Sequence, residues 1–355
     1  MTVLLLGHPA CERHLTGPGH PERPQRLVAI RRAIEASGLG ETIPWVTAPQ
    51  ADRDVLESVH APSYIAGIEA TARHGGGWLD PDTAVSSESD VAALHAAGAA
   101  QRAAEALSAG EASRAFVAVR PPGHHASADR GMGFCLFNNV AVAAAAARRA
   151  GRERVMIVDW DVHHGNGTQA IFWRDPSVLY VSLHQEFWYP GTGAIEEVGD
   201  GPGEGFTVNV PLPAETGDGG CGDVFAEVVL PLAAAFRPDF LAISAGYDAH
   251  ASDPLGGMVL TTAGFGWLTQ LLDGAARAVD APLLAVLEGG YDLGALGDSV
   301  VATLGVLAGR SAPEPGPAGQ GAAPVGGAGP REAAPAAIRA RLRAVRRLLL
   351  AHWRV

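Results

Sequence analysis

The sequence predicts an α/β fold built on a doubly wound, mostly parallel sheet with helices on both faces. Three observations predict it. Apolar runs alternate with helical-period segments over about 300 residues. Several runs, among them 115–119, 155–158, 240–244 and 283–287, are short and rich in β-branched or aliphatic residues, as suits strands buried on both faces. Five strands run straight into polar or aromatic residues, which gathers chemistry at the strand C-termini, where open α/β sheets place their ligands.

The elements follow in order. The N-terminal MTVLLLGHP is a first strand, its apolar run too short and too poor in basic residues for a secretory signal, so a cytoplasmic protein is expected. His8, His14 and His20 are loosely spaced among prolines and read as a structural loop. Residues 24–36 form a surface helix through Leu27, Ile30 and Ile34, with arginines on its other faces. Helices are expected over 54–72 and 88–107, the second Ala-rich, with turn chemistry at 79–83 between them. The strand 115–119 leads to Arg120-Pro-Pro-Gly-His-His-Ala126, where two prolines and a glycine fix the chain and present His124 and His125 side by side. A loop over 131–139 precedes an Ala-rich helix, 140–149. Strands follow at 178–183 and 207–210, helices at 222–235 and 262–279. Phe134 and Tyr189 each stand in a loop after a strand, where they could line a slot. Residues 311–335 are rich in Pro, Gly and Ala and read as a linker after a domain spanning 1–310. Residues 336–355 hold a basic amphipathic helix, with Ile338, Leu342, Val345, Leu349 and Trp353 on one face, expected to dock on the domain.

Bulk properties narrow the function. The 355 residues are 47% hydrophobic, enough for a large core, and no apolar span long enough for a membrane helix is read. The net charge of -12 argues against direct nucleic-acid binding and favours a cationic substrate. There is no lysine, which removes Schiff-base lysine chemistry. Cys11, Cys135 and Cys221 form no CxxC pair, so a metal here must be held by nitrogen and oxygen.

The stretch 154–168 supplies such donors. Asp159, Asp161 and His163 alternate with Trp160 and Val162 after the buried run 155–158, so they emerge on one side if the extended backbone persists. Two acids and an imidazole suit zinc or another borderline first-row ion, a salt-bridged strand end being the plainer alternative. Asp248, after the strand 240–244, is the best placed third ligand beside Asp161 and His163. Two carboxylates and one imidazole leave a position open, as a catalytic zinc requires. His124 and His125 can exchange protons, with Asp159 and Asn166 as candidate orienting groups, and Tyr291, beside two glycines, can hydrogen bond an oxyanion. These parts make a metal-assisted amide hydrolase.

The motifs DWDVHHGNGTQ, RPPGHHA, GFCLFNN, SLHQ with PGTG, SAGYDAHxxDPLGGM and LEGGY resemble the zinc-dependent histone deacetylase superfamily in its bacterial class II-like branch, in consistent order over roughly residues 1 to 308. The resemblance implies the arginase/deacetylase fold, one zinc on Asp161, His163 and Asp248, and carbonyl polarisation by Tyr291. It implies His124 and His125 as the acid/base pair, oriented by Asp159 and Asn166. It also implies a potassium site on Asp159, Asp161, His163, Ser182 and Leu183, several through backbone oxygens. An acyl-lysine tunnel would be walled by Phe134 and Tyr189, with Gly133 and Leu255 beside them. Tyr189 departs from the phenylalanine common there. Acetylated lysine side chains are the expected substrates and acetylated polyamines the alternative, against which Leu255 weighs where polyamine-selective relatives can carry glutamate. A catalytically inactive acyl-lysine binder and a two-manganese arginase-type enzyme fit less well. Iron could replace zinc, and oligomerisation is left open.

Overall fold

The computed structural model describes residues 2–312 and 335–354, so most of the expected linker, 311–335, lies outside the described residues. The described strands are β1 (Val3–Gly7), β2 (Trp45–Thr47), β3 (Gly76–Trp78), β4 (Ala84–Ser86), β5 (Arg114–Val117), β6 (Val155–Asp159), β7 (Val178–Gln185), β8 (Thr207–Leu212), β9 (Phe240–Ala245) and β10 (Leu283–Leu287). Eight of them form one sheet in the order β2-β1-β5-β10-β9-β6-β7-β8. Every pairing in it is parallel. Strands β5 to β10 are buried throughout, which is why their runs are predominantly apolar. The fold class is therefore the expected doubly wound α/β sheet.

Helices α1 (Gln25–Ala36), α2 (Arg53–Glu57), α3 (Pro62–Arg73), α4 (Ser89–Ser108) and α5 (Asn139–Arg149) precede β6. Alanines along the facing sides of α4 and α5 allow those two helices a close approach. The single helix expected over 54–72 is two. Pro62 lacks an N–H, and Ala61 before it is extended at φ -60° and ψ 134°, so the chain turns and Ala61 N donates to the Ala128 carbonyl at 2.7 Å. The surface helix expected at 24–36 also needs correction, because α1 buries Arg26 completely among carbonyls and a carboxylate.

The turn at 79–83 is the tip of an antiparallel hairpin formed by β3 and β4. The helix expected at 222–235 starts earlier. It comprises α7 (Asp218–Val224), a π-turn at Phe225–Val229 and α8 (Leu230–Phe236). Its glycine-rich first turn has low intrinsic helix propensity and hid the start. A Cβ on Gly222 would overlap the Trp267 ring of α9 (Thr262–Ala278), so glycine is what lets the two helices meet. Helix α6 (Asn166–Phe172) lay within a stretch read only for its motif, and α10 (Leu293–Leu307) within one for which no element was expected.

The last helix, α11 (Pro335–Leu349), lies against β8 and the π-turn with Ile338, Leu342, Val345 and Leu349 buried. Beyond its end Trp353 donates from Nε1 to the Gly205 carbonyl at 2.8 Å and meets Phe206 and Phe236 edge-on.

Candidate active site

The site forms at the C-terminal ends of β5, β6, β9 and β10. After β5 the chain passes a cis Arg120–Pro121 bond and reaches Gly123, whose bare α-carbon lies against the backbone of Asn138 and Asn139. A side chain there would collide with the start of α5. The Glu288 carboxylate accepts from Gly123 N at 2.6 Å and His124 N at 3.1 Å. Asn138 accepts from Ala141 N as the cap of α5 and donates to the Ala126 carbonyl at 3.0 Å and to Thr168 Oγ1 of α6 at 3.1 Å. Tied at both ends, the loop holds the His124 and His125 rings with centroids 4.0 Å apart.

The two histidines have different partners. His124 Nδ1 meets Asp159 Oδ2 at 3.0 Å, and the Tyr180 hydroxyl donates to the same oxygen at 2.9 Å. His125 Nδ1 donates to Asn166 Oδ1 at 2.8 Å, which leaves its Nε2 as an acceptor. Burial disfavours the His124 cation, but the Asp161 and Asp159 charges outweigh it and raise the pKa to about 10. Burial, reinforced by the neighbouring His124, pushes His125 well below the ordinary histidine range. One imidazole is thus set to stay charged and the other neutral.

Asp161, His163 and Asp248 come together as three buried groups whose donor atoms lie within 4.8 Å of one another. His163 Nδ1 is 3.0 Å from Asp161 Oδ1 and 3.2 Å from Asp248 Oδ2. A tetrahedral zinc with ligands at ordinary distances sets its donor atoms about 3.4 Å apart, so the spacing fits the ion. Each carboxylate is also oriented from behind. Asp161 Oδ2 accepts from Gly289 N at 2.9 Å, and Asp248 Oδ1 from Val162 N at 3.0 Å. A Cβ on Gly289 would overlap Asp248 Oδ2, so the glycine leaves the space the carboxylates fill. Desolvation and the Asp161 charge raise Asp248 to about 7, while His124 and His163 overcome burial to hold Asp161 well below the carboxylate range. Packed this closely, the donors match a site completed by a cation.

A cavity of about 260 Å³ opens above these groups, lined by Asp82, His125, Gly133, Phe134, His163, Trp188, Tyr189, Leu255 and Tyr291. The expected wall residues are therefore together, and His125 of the histidine pair is the one that faces the cavity. Tyr189 stands edge-on to His125 at 5.1 Å and Phe134 edge-on to Tyr291 at 5.8 Å. Phe134, at φ 68°, is fixed by its N–H to Thr83 Oγ1 at 3.0 Å. Tyr291 N donates to Asp253 Oδ2 at 2.5 Å, and no described residue hydrogen bonds its hydroxyl. Burial, with Asp248 nearby, raises that phenol well above its usual pKa, so it is a donor at neutral pH.

Asp159 and Ser182 are register partners on β6 and β7, with Leu183 next along β7. Of the five residues expected around potassium, Asp159 ends β6, Asp161 and His163 follow it, and Ser182 and Leu183 lie within the neighbouring β7.

Asp82 lines the cavity, in the 79–83 turn that the sequence allowed as part of a substrate rim. Several supporting residues escaped the sequence reading. Trp188 lines the cavity, Asp253 holds the Tyr291 backbone, and Tyr180 and Glu288 brace the histidine loop. Glu288 carried a signal, an acid following a buried strand. Arg26, Glu22 and Arg120 carried none, being charged residues of ordinary surface type whose burial only the tertiary fold determines.

Residues 20–307 match the model of the histone deacetylase domain. The chain is 44% identical over 302 residues to histone deacetylase 15 of Arabidopsis thaliana, covering 82% of this chain but only 53% of that protein. It is 41% identical over 314 residues to a probable deacetylase of Archaeoglobus fulgidus, covering 87% of each. It is 41% identical over 276 residues to a histone deacetylase-like amidohydrolase of Pseudomonas aeruginosa, covering 77% of this chain and 73% of that protein. The crystal structure of the HDA15 HD domain superposes with a TM-score of 0.88 at 37% identity, covering 99% of this chain and 96% of that one. With its sheet, its buried Asp-His-Asp cluster and its paired histidines, the chain belongs to the histone deacetylase family.

Proposed function

We propose that the protein is a zinc-dependent deacetylase that hydrolyses the amide of acyl-lysine, with acetyl-lysine in proteins or peptides as the substrate class. One observation carries the reading: His125 and Tyr291 line the same cavity as His163, the imidazole of the Asp161-His163-Asp248 cluster. Asp161, His163 and Asp248 would hold the zinc, which would supply Lewis acidity and lower the pKa of water at the site. The walls of Gly133, Phe134, Tyr189 and Leu255 suit an unbranched alkyl chain, and Leu255 brings no charge to a second amine of a polyamine.

The chain's own groups perform the proton movements. Neutral His125, with Nδ1–H fixed by Asn166, accepts the proton of the attacking water at Nε2. The Tyr291 hydroxyl donates to the substrate carbonyl oxygen as negative charge develops there. His124 is held next to His125 by its contact with Asp159, and the proton is delivered to the leaving lysine amine from the histidine pair. We assign Asp159, Asp161, His163, Ser182 and Leu183 to a structural potassium ion. Cys11 and Cys135 are free and buried, which fits a reducing compartment, and we propose a cytoplasmic location.

The test is turnover by the purified protein of acetyl-lysine peptides, longer acyl-lysines and acetylpolyamines, with metal content measured on the same sample. Zinc near one per chain and peptide turnover abolished by a chelator are expected. Hydrolysis of acetylpolyamines alone would reassign the substrate, and chelator-resistant turnover would remove the metal from the mechanism.

A further inference from the structure

Phe187 is 95% exposed, and its backbone is left-handed at φ 55°. Both features are unfavourable by themselves. A benzyl group in water forgoes the gain of burial, and a β-carbon at positive φ crowds its own backbone. Such a residue persists only where its neighbours fix it. Here they do. Glu186 N donates to the Leu212 carbonyl at 2.8 Å, and its carboxylate is paired with Arg341 of α11. Trp188 Nε1 donates to the Leu255 carbonyl at 2.9 Å, and Gly191 N to the Trp188 carbonyl at 2.8 Å. Trp188, Tyr189 and Leu255 line the cavity, so Phe187 is held beside its mouth, facing solvent.

We infer that Phe187 is a preorganised contact for a large apolar side chain next to the acyl-lysine of a polypeptide substrate. The inference rests on the acyl-lysine reading of the cavity and sharpens it. A side chain threaded into the cavity leaves its polypeptide lying across the mouth, with neighbouring residues one backbone repeat away on either side. An acetylpolyamine is an unbranched chain with no apolar branch to offer there. Because the backbone is already locked, contact with Phe187 costs little further ordering, and the exposed ring becomes net binding surface.

The test compares two acetyl-lysine peptides, one with leucine and one with serine on both sides of the acetyl-lysine. Wild type is expected to favour the leucine peptide in kcat/KM by roughly five- to tenfold, the scale set by burying part of a large apolar side chain. Phe187→Leu should retain most of that preference, while Phe187→Ser and Phe187→Gly should bring the ratio to about one. Glycine relieves the left-handed strain, so Phe187→Gly should melt no lower than wild type even as it loses the preference. A structural role predicts a changed melting temperature with the ratio intact.

Equal rates on the two peptides in wild type, or a ratio unchanged in Phe187→Gly, overturns the inference while leaving deacetylation standing. A wild-type dimer in sedimentation that Phe187→Ser dissociates assigns the ring to a contact between two copies of this chain, and overturns it too. Turnover of neither peptide by the zinc-loaded enzyme defeats the reading of the cavity, and the inference falls with it.

Discussion

Glu22 Oε2 accepts from Arg120 Nη2 at 2.6 Å in the fully buried ground beneath the site. Oε1 of the same carboxylate accepts from Arg120 Nε and, at 3.2 Å, from Arg26 Nη1. Arg26 then donates to the carbonyls of Gly290 at 2.7 Å and Glu288 at 2.5 Å, with its guanidinium 5.0 Å from the Tyr291 ring centroid. One carboxylate therefore ties the N-terminal segment to the histidine loop and to the Tyr291 turn.

Glu22→Gln should destabilise the fold by about 3 to 5 kcal/mol at neutral pH, since it leaves two buried guanidiniums without their counter-charge. Burial works against the Glu22 carboxylate, but Arg120 outweighs it and holds the pKa at about 2 against an ordinary 4.5. The folded-state value is depressed, so the stabilisation is fully present above the unfolded value and is lost as pH falls towards 2. Denaturant unfolding at pH 7, 5 and 3.5 should show the gap between wild type and Glu22→Gln constant from pH 7 to 5, then narrowing by about 1 kcal/mol at pH 3.5. A gap independent of pH would mean that the carboxylate charge contributes nothing.

Gly289→Ala should empty the proposed zinc site. The added methyl would occupy the position of Asp248 Oδ2 and crowd Asp161 Oδ2, while β10 and its sheet contacts lie on the N-terminal side of the change. Metal content and activity should fall together, as they should in Asp248→Ala, where two protein ligands remain. Full zinc occupancy in either folded variant counts against the ligand assignment.

Leu342→Ala should lower the stability of the whole domain by about 2 to 4 kcal/mol, because α11 sets this side chain, 1% exposed, against the body of the fold. A single unfolding transition moved to lower denaturant is expected. An unchanged transition would mean that α11 is not part of the cooperative unit.

How far the sequence could be read follows from the range of each interaction. Strands β6, β9 and β10 announced themselves because burial on both faces makes each run almost wholly apolar until its C-terminal end. The ligands Asp161, His163 and Asp248 were legible because acids and imidazoles at the ends of such runs demand compensation. Amphipathic α11 was equally plain, its apolar stripe being a local pattern. Arg26, on a helix whose other arginines are surface residues, gave no local sign of burial; its partners Glu288 and Gly290 are more than two hundred residues away. The α2–α3 break did carry a local sign, Pro62, which the single-helix reading passed over, whereas Gly222 of α7 is selected by the neighbouring Trp267 ring. Local chemistry was visible, whereas choices imposed by distant neighbours were not.

Tyr291→Phe tests the transition-state role most directly. The ring meets Phe134 edge-on and lies under the Arg26 guanidinium, contacts that phenylalanine preserves. The hydroxyl has no hydrogen-bond partner among the described residues and belongs to a residue that lines the cavity, so its removal strands no buried group. Zinc content and melting temperature should therefore stay near the wild-type values. The lost donor acts on the developing oxyanion, so kcat should fall by roughly 100-fold or more, with KM changing much less. A tyrosine serving only as packing predicts the opposite: near-normal turnover with any loss confined to stability. Measuring kcat, KM, bound zinc and thermal unfolding on this variant separates the two, and turnover within a few fold of wild type removes Tyr291 from the mechanism.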